Sequence, residues 1–171
     1  MVRALFPGTF DPIHYGHMDI AERASRLFDE IVVAVYDKPL KTLFFSPEER
    51  ISLVEQAVAS NPKIRVTGYS GLTVEYAKKI GAQVIVRGLR VFSDFEFEFR
   101  MALANRRLSP EIEYMALITA EEHTFLSSTT VREIASLGGD VSSMVPPFVE
   151  KALKKTLSNM EDKDVPNALR D

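Results

Sequence analysis

The chain holds 171 residues, with 21 Lys and Arg against 24 Asp and Glu and a formal net charge of -3 at pH 7. That length predicts one modest domain with a core of its own, and the absence of cysteine excludes disulfides. The slight acidic excess leaves no bulk cationic field to hold DNA or RNA, so any phosphate recognition has to be local.

Apolar residues at 46% and charged residues at 26% make the chain too apolar for intrinsic disorder. No apolar run approaches the roughly 18 residues that cross a bilayer, and Met1 to Phe10 lacks the basic start, apolar stretch and small-residue cleavage site of an export signal. A cytoplasmic protein without nucleic-acid or membrane partners is the expectation.

Val2 to Phe6 reads as a first strand, followed by strands over Ile31 to Tyr36, Ile64 to Thr67, Gln83 to Arg87 and Tyr114 to Thr119. The near-continuous apolar run from Ile31 to Val35 suits a strand covered on both faces, as in a parallel sheet. Helices fall between the strands. Ile20, Ala24, Leu27 and Phe28 share one face of a helix from His17 to Phe28. Ser46-Pro47-Glu48-Glu49 forms a capping box with a first-turn proline ahead of Ile51, Val54 and Val58. Thr73 to Ile80 is a shorter helix ended by Gly81.

Phe95, Phe97 and Phe99 alternate as in a strand, but Ser93-Asp94-Phe95-Glu96 reads as a cap, and Phe95, Phe99, Ala102 and Leu103 keep helical spacing to about Leu108. Thr130-Val131-Arg132-Glu133 reads as another capping box, opening a helix stopped by Gly138-Gly139. Pro146-Pro147 precedes a last helix through about Leu157. The whole predicts a Rossmann-like, doubly wound five-stranded parallel sheet with helices on both faces and C-terminal helices. Residues 1–158 form one domain and 159–171 a polar tail.

The first strand runs into Pro7-Gly8-Thr9-Phe10-Asp11-Pro12-Ile13-His14-Tyr15-Gly16-His17. In such a sheet ligands sit beyond the carboxyl ends of the strands, where a following helix offers unpaired N–H groups to an anion. Gly8 lets the backbone approach closely, Thr9 adds a hydroxyl and an amide, and Gly16 permits tight packing at the helix start. His14 and His17 are three apart, so both can face one phosphate from the first turn, although a capping or core imidazole is the alternative for either. No cysteine and no nearby third ligand completes a metal shell around them.

Arg87 and Arg90 flank Gly88 at the end of the fourth strand and offer two planar forks to a polyphosphate, the alternative being surface salt bridges. Lys41 follows the second strand, and Ser127-Ser128-Thr129-Thr130 precedes a helix N-terminus with more hydroxyls than capping requires. Phe95, Phe99 and Met101 read as core or subunit contacts.

Gly8-Thr9-Phe10-Asp11-Pro12 with His14-x-Gly16-His17 resembles the HxGH nucleotidyltransferase superfamily. Lys38-Pro39-Leu40-Lys41, Arg87-Gly88-Leu89-Arg90 with Asp94-Phe95-Glu96, and Ser127-Ser128-Thr129 extend the resemblance, from Val2 to about Leu157, to the phosphopantetheine adenylyltransferase family. The resemblance implies adenylyl transfer from ATP to 4'-phosphopantetheine, with His17 and Lys41 catalytic. It places the acceptor at Thr9, Lys41, Thr73 and Arg87. It places ATP at Thr9, Phe10, His17, Gly88, Leu89, Arg90, Glu98 and the stretch His123, Thr124, Phe125, Leu126, Ser127, Ser128 and Thr129.

Mg2+ is expected to arrive with ATP rather than in a protein cage. A homohexamer with coenzyme A feedback is also implied. On residues alone an exposed helical acid is the alternative for Glu98, and Thr73 reads equally as a helix cap. Thr42 stands where a second lysine often follows Lys41, and Phe97 where tyrosine is frequent, so contacts from those two positions are in doubt. A transferase using another acceptor, such as nicotinate mononucleotide or glycerol phosphate, and a nucleotide-binding protein without turnover are the competing readings.

Overall fold

The computed structural model describes residues 1–38 and 43–164, with side chains through residue 160. Its elements run β1 (Arg3–Gly8), α1 (Tyr15–Leu27), β2 (Glu30–Tyr36), α2 (Pro47–Val58), β3 (Ile64–Tyr69), α3 (Thr73–Lys79), β4 (Val84–Leu89), α4 (Phe92–Leu108), β5 (Glu113–Ile118), a short 3-10 turn (Glu121–His123), α5 (Ser128–Ser136) and α6 (Pro147–Asp164). The five strands form one parallel sheet in the order β3-β2-β1-β4-β5, the doubly wound arrangement expected.

Strand alternation divides the core into two layers. Ala4, Phe6, Ile31, Val33 and Val35 pack with Ile20, Ala24, Val54, Val131, Val149 and Leu153 on one face, so α1, α2, α5 and α6 cover it. Leu5, Val32, Ala34 and Ile85 pack with Val74 and Ala77 of α3 on the other. A run such as Ile31 to Val35 is continuously apolar because both its faces are buried.

The cap of α2 is as expected: Ser46 Oγ accepts from the Glu49 amide at 3.2 Å and the Glu49 carboxylate accepts from the Ser46 amide at 2.9 Å. Two other caps differ. Helix α4 begins at Phe92 after Val91, whose apolar side chain has no acceptor to cap it, so Ser93 lies inside the helix, and Asp94 of its first turn accepts the Arg90 backbone N–H at 3.2 Å. Helix α5 is capped by Ser127, not Thr130; Ser127 Oγ accepts the Thr130 amide at 3.0 Å and so starts the helix earlier. Helix α6 continues to Asp164, well past Leu157.

The strand order reverses at β1. Its ladder with β2 runs the full length, Arg3 opposite Glu30 to Gly8 opposite Val35. Its ladder with β4 holds only Ala4 opposite Val84 and Leu5 opposite Ile85. Beyond those pairs the two strands part, and their carboxyl ends open the crevice where ligands bind in such sheets.

Candidate active site

The loop from β1 to α1 is built around Phe10, a buried residue in the left-handed region at φ 51°. Its ring lies over Gly8, where a Cβ would meet ring atoms at 2.8 Å. Gly8 therefore makes room for an aromatic ring, and it also lines the crevice where the sequence suggests close approach to a ligand. The same ring stands edge-on to His17, with centroids 5.0 Å apart.

Two charged residues fasten this loop from beneath. Asp11 is fully buried and its carboxylate accepts the amides of Phe44 and Phe45 at 3.0 Å each. It also pairs with Arg132 of α5 at 3.5 Å. Arg50 of α2 is fully buried, and its Nη1 donates to the carbonyls of Thr9 and Tyr36 at 2.7 Å each. The backbone that carries Thr9 is thus fixed by a guanidinium. Arg50 has a readable signal, since it lies three and four residues before Leu53 and Val54 and so shares the buried face of α2. Arg132 has none beyond its helix.

His14 and His17 cap α1 reciprocally. Nδ1 of His14 accepts the His17 amide, and Nδ1 of His17 accepts the His14 amide, each at 3.4 Å. An Nδ1 that accepts carries no proton, so the proton of each neutral ring sits on Nε2. Burial, reinforced by Arg90 and His123, lowers the pKa of His14 to about 3. Burial, then the charges of His14, Arg87 and Arg90, holds His17 well below its ordinary value. Capping therefore uses one nitrogen of each ring and leaves the other unused by it, so the capping and ligand readings of these histidines are compatible.

Two adjoining cavities, each of about 340 Å³, occupy the crevice. Thr9, Arg87, Phe97 and Glu98 line both of them. One extends past Tyr36, Leu72, Thr73 and Tyr114. The other extends past His14, His17, Gly88, Arg90 and the Ser127–Thr129 turn.

Arg87 forms the wall between them. Its Nε and Nη2 donate to Glu98 Oε1 at 3.0 and 2.7 Å, and its Nη1 donates to the Pro7 carbonyl at 2.6 Å. Burial opposes the charge on Arg87, but the Glu98 hydrogen bonds and charge outweigh it and its pKa is raised. Glu98 is buried, so the exposed-acid alternative does not hold. Arg90 is forked onto Asp94, with Nε and Nη2 donating at 3.0 and 3.2 Å, and its Nη1 donates to the Leu126 carbonyl at 2.6 Å.

The hydroxyls before α5 divide their duties. Ser127 caps the helix, Ser128 Oγ donates to the Pro12 carbonyl at 2.8 Å, and Thr130 pairs with Ser127. The first-turn amides of Ser128 and Thr129, which have no intrahelical acceptor by position, remain at the cavity wall. Thr73 is the first residue inside α3, not its cap, and its hydroxyl pairs with Tyr69 Oη at 3.0 Å.

Several predicted residues lie apart from both cavities. His123 borders a third hollow with Tyr15, Asp19 and Asn61. Phe125 is 57% exposed, and the Leu126 side chain is buried in the core, leaving its carbonyl to Arg90. Thr124 Oγ1 donates to the Ala120 carbonyl, and Leu89 accepts the Thr119 amide. Lys41 and Thr42 fall outside the described residues. Phe97 does reach both cavities, and Tyr114, which lines one of them, donates its hydroxyl to Glu98.

Residues 5–134 match the cytidylyltransferase-like family model. A phosphopantetheine adenylyltransferase from Roseiflexus sp. (strain RS-1) is 51% identical over 155 residues, covering 91% of this chain and 97% of that protein. One from Herpetosiphon aurantiacus is 50% identical over 162 residues, covering 95% and 98%. The chain belongs to the phosphopantetheine adenylyltransferase family.

Among solved structures, a candidate nicotinate-nucleotide adenylyltransferase from Vibrio parahaemolyticus superposes with a TM-score of 0.69, covering 92% of this chain and 95% of that one. At 20% identity it shows the Rossmann-like nucleotidyltransferase fold alone and gives no support to a nicotinate acceptor here. The paired cavities with an arginine wall are thus the candidate site of a phosphopantetheine adenylyltransferase, a nucleotidyltransferase of coenzyme A biosynthesis. No described helix is long and apolar enough to cross a membrane.

Proposed function

We propose that this enzyme binds ATP in the cavity beside His17 and 4'-phosphopantetheine in the cavity beside Thr73, and joins them across Arg87. An acceptor phosphate oxygen forms a bond to the α-phosphorus of ATP while the bond from that phosphorus to the bridging oxygen breaks. The products are 3'-dephospho-coenzyme A and pyrophosphate. The acceptor is already anionic, so no base is required. Ser127 and Ser128 are engaged in capping and loop bonds, which supports direct in-line displacement over a covalent intermediate. The observation that carries the reading is the pair of cavities meeting at Thr9, Arg87 and Glu98.

His17 Nε2–H donates to the α-phosphate as charge redistributes, the use in which a fixed neutral donor contributes most. Arg87 and Lys41 hold the acceptor phosphate, Lys41 being assigned by its motif. Thr9 touches both reactants. Arg90 and the first-turn amides of α5 hold the β- and γ-phosphates that leave, with Gly88 and Glu98 beside the nucleotide. Mg2+ carried by ATP would supply neutralisation of the triphosphate charge. Among the described residues no cluster of three or more His, Asp or Glu side chains offers a cage, so no residue is assigned to the ion.

The working form is a cytoplasmic homohexamer open to feedback by coenzyme A, which shares the acceptor's chemistry. Support for assembly comes from α4, whose outer face is apolar. The test is pyrophosphate release with ATP, CTP and GTP, each offered phosphopantetheine and nicotinate mononucleotide. Release with ATP and phosphopantetheine above the other pairs is expected; release with nicotinate mononucleotide instead, or none with any pair, rejects the reading.

A further inference from the structure

Glu98 is the one buried residue of α4, on a helix whose Phe92, Phe95 and Phe99 are exposed. Its carboxylate is shared between two donors from the sheet. Arg87 approaches Oε1 and Oε2, with Nε at 3.0 and 3.1 Å, and the Tyr114 hydroxyl donates to Oε2. Register explains the meeting. In the parallel pair of β4 and β5, Ile85 lies opposite Tyr114 and Arg87 opposite Ala116, so Tyr114 and Arg87 project from the same face of the sheet. The phenol ring also lines the acceptor cavity but not the cavity beside His17.

An arginine has five N–H donors. Glu98 takes those on Nε and one on Nη2, and the Pro7 carbonyl takes one on Nη1. One N–H on each of Nη1 and Nη2 is left for a phosphate, and Glu98 competes with that phosphate for the positive charge. The Tyr114 O–H draws on the same carboxylate and weakens its hold on Arg87. Burial, with the Glu98 bond, raises the pKa of Tyr114, so the phenol keeps its proton across the working range.

We propose that Tyr114 is a positioning residue for the acceptor phosphate, acting through Glu98 on the charge and placement of Arg87. The proposal rests on adenylyl transfer to phosphopantetheine as the function. Without the hydroxyl the full carboxylate charge falls on Arg87, which is then less available to an incoming phosphate.

Tyr114→Phe removes the hydroxyl and keeps the ring. The expected result is a roughly three- to tenfold rise in the acceptor KM, a fraction of what a hydrogen bond to a charged group contributes, with the ATP KM and the thermal midpoint within error of wild type. Calorimetric titration of 4'-phosphopantetheine should show the same fold-change in Kd. In a Glu98→Gln background, Tyr114→Phe should add less than twofold, because the charge through which it acts is gone. An unchanged acceptor KM, an equal rise for both substrates with a lowered midpoint, or full additivity in the Glu98→Gln background each overturns the proposal. Wild-type protein that releases no pyrophosphate overturns the underlying function instead, and the calorimetric Kd then still decides whether Tyr114 acts on acceptor binding.

Discussion

The imidazoles of His14 and His17 stack with centroids 3.6 Å apart and close the first turn of α1 by accepting each other's backbone amides. Protonation at either Nδ1 removes an acceptor and places a cation beside Arg87 and Arg90. The pair is therefore structural on its Nδ1 edge, a duty that requires neutral rings, and leaves an Nε2–H on the other edge.

Acid stability follows from this pairing. An unfolded chain protonates both histidines near pH 6.5, whereas in the fold His14 titrates at about 3 and His17 well below 6.5. Between those values the unfolded state binds more protons. Stability is thus complete above pH 6.5 and lost as pH falls, by about 1.4 kcal/mol per pH unit for each histidine in that window. Urea midpoints at pH 7.5, 6 and 5 should fall steeply for wild type and less steeply for His14→Asn. Equal slopes would count against a neutral pair.

His17→Ala separates binding from chemistry. A donor that meets the α-phosphate best as charge moves contributes to turnover more than to ATP affinity. Turnover is expected to fall by roughly 10²-fold or more, with a much smaller change in the Kd for ATP. Steady-state kinetics beside nucleotide titration reads both, and turnover at the wild-type level removes His17 from the reaction.

The order of elements is legible because buried parallel strands leave unbroken apolar runs, as from Ile31 to Val35, and because the cap at Ser46 is local. The residues of the candidate site are legible for the same topological reason: the ends of β1 and β4 and the turn before α5 line one cavity at the mouth of the sheet. What escapes is carried by long-range pairs. Asp11 finds Arg132 across 121 positions, and Arg50, although its spacing sets it on the buried face of α2, finds the Thr9 carbonyl across 41. Helix α4 inverts the usual polarity, burying Glu98 and exposing Phe92, so apolar spacing points to the wrong face. The caps at Ser93 and Thr130 fail because each helix already starts upstream, after Val91 and Ser127.

Asp11 should be the most sensitive residue of the β1–α1 loop for folding. Asp11→Ala strips an acceptor from the Phe44 and Phe45 amides and leaves Arg132, 15% exposed, without its counterion. Breaking a buried pair in this way costs about 3–5 kcal/mol. Chemical denaturation should show that loss, and a double variant with Arg132→Met should lose less than the sum of the two single changes because they share one interaction. A loss below about 1 kcal/mol, the range of an exposed pair, would show that the loop is held elsewhere.

The outer face of α4 predicts assembly. Phe92 is 86% exposed and stacks on Phe95, which stacks on Phe99, with centroids 6.2 and 5.8 Å apart. Leu103 of the same helix and Ile118 at the end of β5, an edge strand, are exposed as well. Contiguous apolar surface of this kind marks a protein interface, and a second copy of the chain satisfies it most simply, since each copy brings the same face. Light scattering at micromolar concentration should give a mass several times that of the 19.2 kDa chain. Phe92→Asp with Phe95→Asp should lower that mass toward one chain, because charges buried at an apolar contact are costly. Activity should fall with assembly, because Glu98 and Phe97 sit on the same helix and line the site. A wild-type protein that scatters as a single chain would leave this face without its partner and reject the assembly.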